Sequence, residues 1–258
     1  MCRIFKALAP LVLIAAVAAC GSDTSKSQKP SSPAAAPDAK KVDDKTASTI
    51  AGKVVLEGTP PPATVIRTAS DPACVQANKG ELKSETFVVD DGGLENVFVY
   101  IKDGLGNKYL FDTPTDPVKI DQKGCHYVPH VVGVRTTQPL EIVNSDATLH
   151  NVHGMPKANA EFNQGQPVQG LKNDFTFKTA EALIPLKCDV HSWMNAYVGV
   201  VDHPYFAVTG DGGKFELRGV PPGTYSVEAV HEKLGRVSLP VTVGEKDSKE
   251  LTFTFKAQ

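Results

Sequence analysis

The chain has 258 residues, 27 Lys and Arg against 29 Asp and Glu, and a formal net charge of −2. That balance, with no basic stripe interleaved with aromatics, excludes a nucleic-acid-binding surface.

The chain opens with a targeting pattern. Arg3 and Lys6 precede an apolar run, residues 7–19, that is too short to span a bilayer comfortably and ends in small side chains, as a secretory signal peptide over residues 1–19 does. Val17-Ala18-Ala19-Cys20 resembles a bacterial lipobox, which implies that Cys20 is acylated and anchors the mature chain to a membrane. An ordinary cleavable signal with a coincidental Cys is the alternative. Gly21, where an Asp would suggest inner-membrane retention, points to a periplasmic or cell-surface location on the outer membrane. Residues 20–48 hold Ser, Pro, Ala, Lys and Asp with almost no large apolar side chain, and read as a flexible tether.

From Thr49 short β-like runs alternate with turn signals. Residues 50–56 stop at Gly58-Thr59-Pro60-Pro61-Pro62. Residues 87–89 and 97–101 flank Asp90-Asp91-Gly92-Gly93, a hairpin-type turn. Residues 118–120, 131–134, 140–143, 149–152, 175–177, 182–186 and 197–201 continue the series. No window of a dozen residues holds a 3.6-residue apolar period, so no helix is predicted. Residues 154–173, rich in Gln, Asn, Gly and Pro, read as an irregular surface excursion. The predicted fold is all-β, a sandwich over residues 49–203.

Residues 204–258 read as a second, smaller β unit. Asp211-Gly212-Gly213 precedes a strand-like run, and Gly219-Val220-Pro221-Pro222-Gly223-Thr224-Tyr225 turns into an aromatic-led one. This arrangement resembles the transthyretin-like, carboxypeptidase regulatory-like β-sandwich and implies an accessory role. So short a unit buries a small core and is expected to dock on the first domain.

The chemistry concentrates in residues 183–201. Cys188, His191 and Met194 place a thiolate, an imidazole and a thioether donor at even steps, and His150 supplies a second imidazole. A one-electron copper centre must suit Cu(I), which favours sulfur, and Cu(II), which accepts imidazole. A His₂Cys set with a weak axial Met satisfies both. Singly, each residue has a plainer reading: Met as core filler, Cys as a small hydrophobe, His as a satisfied polar group. With only 5 Cys and 3 Met in the chain, their convergence with His on one loop favours a metal.

Cys188-x-x-His191-x-x-Met194, with Asn144 and His150-Asn151-Val152-His153 upstream, resembles the cupredoxins, with the ligand-loop spacing of the amicyanins. The resemblance implies a Greek-key cupredoxin-like sandwich and one type 1 copper ion held by His150, Cys188, His191 and Met194. It also implies that Asn151 ties the His strand to the thiolate loop. The function that follows is one-electron transfer with a redox partner protein, a cytochrome or an oxidoreductase. Three features depart from the pattern: the long segment before Tyr127, the extra Cys74 and Cys125, and Asn195 where the amicyanins usually have Gly.

Cys74 and Cys125 form an even pair in an exported chain and are predicted to be disulfide-bonded. A second metal site of Cys125, His126 and His130 is the alternative. Trp193 is either an exposed docking patch beside His191 or a plug at the sandwich end. His126, His130, His153, His203 and His231 read as partly exposed polar residues, a second-site ligand being the alternative for His153. Cys188 is flanked by Lys187 and Asp189, not by the His through which two-centre copper enzymes wire a second copper. No haem-attachment, phosphate-loop or nucleophile-elbow motif occurs, and the chain is not expected to be an enzyme. Two other functions use the same residues: copper sequestration or delivery, and a structural or adhesive module with a vestigial site.

Overall fold

The computed structural model describes residues 36–257. The signal peptide and Cys20 lie outside the described residues. The fold is all-β, with the strands gathered into two sandwiches.

The first sandwich carries the donor residues. One of its sheets runs, in spatial order, Phe162–Gln166, His150–Gly154, Glu181–Lys187, Asn195–Val201 and Val131–Arg135. The other runs Lys172–Phe175, Leu140–Asn144, Val118–Gln122 and Tyr127–Val128. Alternation along these strands turns Leu140, Ile142, Ile184, Leu186, Ala196 and Val198 to the inside. Each large apolar side chain buried there contributes roughly 1.5–3 kcal/mol. Cys188 and Met194 belong to this core.

The second sandwich is built from both ends of the described chain. Ser48–Glu57 pairs in parallel with Ser248–Lys256 on one side, from Thr49 opposite Ser248 to Glu57 opposite Lys256. On its other side it pairs with Lys214–Val220 and, at Val55, with Gly93. The facing sheet runs Phe206–Val208, Phe98–Asp103, Gly223–His231 and Gly235–Val243. Ile50, Val54, Val99 and Ile101 from the early strands share one core with Phe215, Leu217, Val227 and Phe253 from the late ones.

The expected boundary at residues 203/204 is therefore corrected. The last 55 or so residues supply only part of a core, and the early strands complete it. The donor-bearing sandwich sits within this chain path as an insertion running from Val118 to Val201.

The two sandwiches meet across the outer faces of their sheets. Gly133 and Gly199 are register partners, and the Phe98 and Phe206 rings fill the space above them. Beside them a buried polar joint crosses the boundary: His130 Nε2 lies 2.6 Å from Glu232 Oε1, and Tyr197 Oη donates to Glu232 Oε2 at 2.8 Å.

One local expectation holds and three change. The hairpin closes tightly, Val89 and Asp90 pairing with Leu94 and Gly93, with Asp91 and Gly92 both at positive φ (45° and 70°) as a two-residue primed turn requires. The predicted surface excursion contains Phe162–Gln166, which pairs residue for residue with the His150 strand. A short helix, α1 (Pro72–Ala77), interrupts the β pattern, with Asp71 as its N-cap and Pro at its start. Residues 36–41, read as tether, instead lie along residues 107–112, with Lys40 bridging Tyr109 and Lys41 paired to Asp112 at 2.8 Å, and the Thr46 carbonyl accepts from Lys246 N–H.

Candidate metal centre

Two fixed pieces of backbone bring the donors together. The first is the turn into the His150–Gly154 strand. Buried Asn144 shapes it, donating from Nδ2 to the carbonyls of Thr148 and Gln166 and accepting from Asp146 N–H at Oδ1, each at 2.9 Å. The second is the loop between Glu181–Lys187 and Asn195–Val201. Cys188 N–H donates to the Met194 carbonyl at 3.1 Å and Met194 N–H to the His191 carbonyl at 2.9 Å, so the loop closes on itself. His191 N–H points at Cys188 Sγ, 3.4 Å away.

The result is a three-atom convergence. His150 Nδ1 and His191 Nδ1 lie 3.0 Å apart, and Cys188 Sγ lies 4.0 Å from the first and 3.9 Å from the second. None of these residues reaches solvent appreciably: His150 is 0 %, Cys188 1 % and His191 2 % exposed. Met194, at 1 %, packs in the same core cluster as Cys188. Asn151 crosses from the His strand to the loop, its Oδ1 accepting Asp189 N–H at 2.6 Å.

The electrostatics suit a cation. Burial opposes charge on His150, but hydrogen bonds to Asp146 and Cys188 outweigh it and carry its pKa up to about 9. At an Nδ1–Nδ1 separation of 3.0 Å the two rings are within hydrogen-bond distance, one donating and the other accepting. Burial likewise pushes the Cys188 thiol up. The hydrogen bond with His150 and the backbone N–H groups of Asn151, His191 and Val190 more than compensate, holding it below its ordinary range. The surroundings thus favour the thiolate form of Cys188 beside two imidazoles, donor types that would suit a copper ion.

Sequence reasoning missed what stands behind the rings. His150 Nε2 meets Asp146 Oδ2, and His191 Nε2 meets Asp71 Oδ2, each at 3.0 Å. Asp71 caps α1, and that helix covers the His191 edge, with Cys74 Sγ 3.7 Å from His191 Nε2. Asp71-Pro72 is a legible helix-start signal, but nothing local to it names His191 as a partner. Cys74 and Cys125 are joined by a disulfide, with Cα atoms 5.5 Å apart. That bond removes the alternative metal site of Cys125, His126 and His130, because neither sulfur is left as a thiolate donor. The same holds for the clusters Asp71–Cys74–His191 and Cys125–Asp146–His150.

The remaining residues fall into place around the centre. Trp193 is half-buried, its Nε1 donating to the Cys125 carbonyl at 3.0 Å and its ring 5.0 Å from that of His191. His153 lies at the surface between Asp189 and Glu161, at 2.9 and 2.8 Å. His126 is partly exposed. His130, His203 and His231, expected to be partly exposed, are buried. His130 bonds Glu232, while His203 and His231 bond the carbonyls of Ile101 and Thr86.

Solved structures are similar to part of this chain, among them the three that follow. A Cu-containing nitrite reductase from Thermus scotoductus SA-01 matches at 20 % identity over 37 % of this chain and 24 % of its own, with a TM-score of 0.31. This chain thus spans about a quarter of that enzyme's length. Amicyanin from Paracoccus versutus matches at 22 % identity, covering 34 % of this chain and 85 % of its own (TM-score 0.30). A purple cupredoxin from Nitrosopumilus maritimus matches at 17 % identity, covering 32 % and 97 % (TM-score 0.28). No family model and no curated protein matches the chain.

Proposed function

We propose that this protein is an exported, lipid-anchored type 1 copper protein that transfers single electrons to or from a redox partner protein, a cytochrome or an oxidoreductase. The observation that carries this reading is the convergence of His150 Nδ1, His191 Nδ1 and Cys188 Sγ within 4.0 Å of one another in a buried pocket. Met194, from the same loop, is the weak axial donor. Copper held there would supply one-electron chemistry through its two oxidation states.

The protein's own residues serve that chemistry by staying still. The loop hydrogen bonds fix Cys188, His191 and Met194 in one backbone conformation, and Asn151 fastens that loop to the His150 strand. Little then reorganises when the charge of the centre changes. Burial of all four donors favours moving electrons over handing on the ion, since copper delivery would require the covering helix to open first. Acylation at Cys20 would keep the centre at the outer membrane, and Trp193 with the loop around it would face the partner.

The visible spectrum of the copper-loaded protein tests this reading. A strong thiolate-to-copper charge-transfer band is expected, and it should vanish in Cys188→Ser. A colourless protein that holds zinc, or binds no metal, would overturn the proposal and leave a structural module.

A further inference from the structure

Each histidine of the donor set is backed by a carboxylate, and each carboxylate also grips one half of the same disulfide. Asp71 Oδ2 meets His191 Nε2 at 3.0 Å and accepts from Thr148 Oγ1 at 2.7 Å. Its Oδ1 accepts the N–H groups of Ala73 and Cys74 at 2.7 and 3.3 Å. Asp146 Oδ2 meets His150 Nε2 at 3.0 Å and accepts Cys125 N–H at 2.8 Å, while its Oδ1 accepts Gly124 N–H at 2.7 Å. Gly124 and Cys125 are both at positive φ, 66° and 56°, which turns their two N–H groups toward the one carboxylate. Two parallel chains of contact result. One runs Cys74–Asp71–His191 and the other Cys125–Asp146–His150, and the disulfide joins their outer ends.

We infer that Asp71 and Asp146 are positioning residues for the two metal-binding imidazoles, and that the Cys74–Cys125 bond keeps both carboxylates in place. This inference rests on the copper reading above. A carboxylate at Nε2 keeps the proton on that nitrogen, so Nδ1 is the atom offered to the metal, and it fixes the plane of the ring. It also makes the imidazole a stronger donor, which favours Cu(II) over Cu(I) and lowers the reduction potential. Asp71 caps α1 and Asp146 sits on the turn before the His150 strand; the Cys74–Cys125 bond is the covalent tie between these two pieces, beside the Thr148–Asp71 hydrogen bond and that from Asn78 Nδ2 to the Gly124 carbonyl.

Two measurements on the full-length protein decide it. In the metal-free form, nitrogen-15-resolved NMR should show both Nε2–H protons protected from exchange. Asp71→Asn should expose that of His191 alone, Asp146→Asn that of His150 alone, and Cys74→Ala/Cys125→Ala should expose both. In the copper-loaded form, each Asp→Asn variant should raise the reduction potential and weaken copper affinity about 10- to 100-fold. Unchanged proton exchange in both Asp→Asn variants, or affinities within about two-fold of the parent, would overturn the inference. The single Asp variants keep the disulfide, so they decide the matter even where the cysteine pair variant fails to fold. A chain that takes up no copper would defeat the functional reading instead, while the exchange data would still report whether the carboxylates hold the rings.

Discussion

Asn151 Oδ1 accepts the backbone N–H of Asp189 at 2.6 Å, so a side chain next to one proposed ligand fixes the main chain next to another. The same amide donates from Nδ2 to Asn163 Oδ1 at 2.7 Å and to Asp189 Oδ2 at 3.1 Å. Asn151→Ala removes all three bonds and leaves the part-buried Asp189 N–H without this partner. The expected cost is about 2 kcal/mol in chemical denaturation, with a shifted charge-transfer band and faster loss of copper to a chelator. A variant with the parent's stability and spectrum would show that the strand and the loop are fixed by other means.

Met194→Leu should keep copper and raise the reduction potential, because a weak thioether donor is exchanged for an apolar group of similar volume. Voltammetry and metal analysis on the same sample check this. Loss of the metal would make Met194 a principal ligand.

Where the sandwiches meet, a Cβ added at Gly199 would fall 2.4 Å from the Phe98 ring. Gly199→Ala therefore forces the ring or the strands apart, at about 1–3 kcal/mol in thermal unfolding. The Nε2 protons of His150 and His191 should be unaffected, because the strain lies on the outer face of the sheet.

Glu228 is 2 % exposed and accepts from Tyr100 Oη, Lys102 Nζ, Arg236 Nη1 and Ser238 Oγ. Burial opposes its charge, but those donors outweigh burial and hold its pKa down to about 2, from an ordinary 4.5. The folded carboxyl thus binds its proton less readily than the unfolded one. Its contribution is complete above pH 4.5 and is lost as the pH falls toward 2. Urea denaturation at a series of pH values should show the parent losing this stability across that window. Glu228→Gln should be about 3 kcal/mol weaker at neutral pH and flatter in acid.

The disulfide closes a loop of 51 residues, for which chain entropy gives a stabilisation of about 4 kcal/mol. Cys74→Ala/Cys125→Ala should lower the melting temperature by about 10 °C, measured by calorimetry on the metal-free protein.

Features set by neighbours in sequence were legible. Cys188, His191 and Met194 share one loop, so their spacing announced the chemistry. The inward alternation of Leu140 and Ile142, and of Ile184 and Leu186, announced strands. Features set by distant pairing were not. Asp71 and His191 are 120 residues apart, and nothing in the sequence around either one points to the other. Phe162–Gln166 lacks β-rich composition because it is an edge strand, ordered mainly by pairing with the His150 strand. Residues 204–258 looked self-contained because each of their strands carries its own pattern, and no pattern records that the facing apolar surface comes from Ile50 and Val54.

The parallel pairing of Ser48–Glu57 with Ser248–Lys256 has a consequence for synthesis. Ser48–Glu57 finds its main partners among strands some two hundred residues later, while the donor-bearing sandwich between them draws its strands from one shorter stretch. Folding in the order of emergence would finish the donor-bearing sandwich first and the sandwich that joins Ser48–Glu57 to Ser248–Lys256 last.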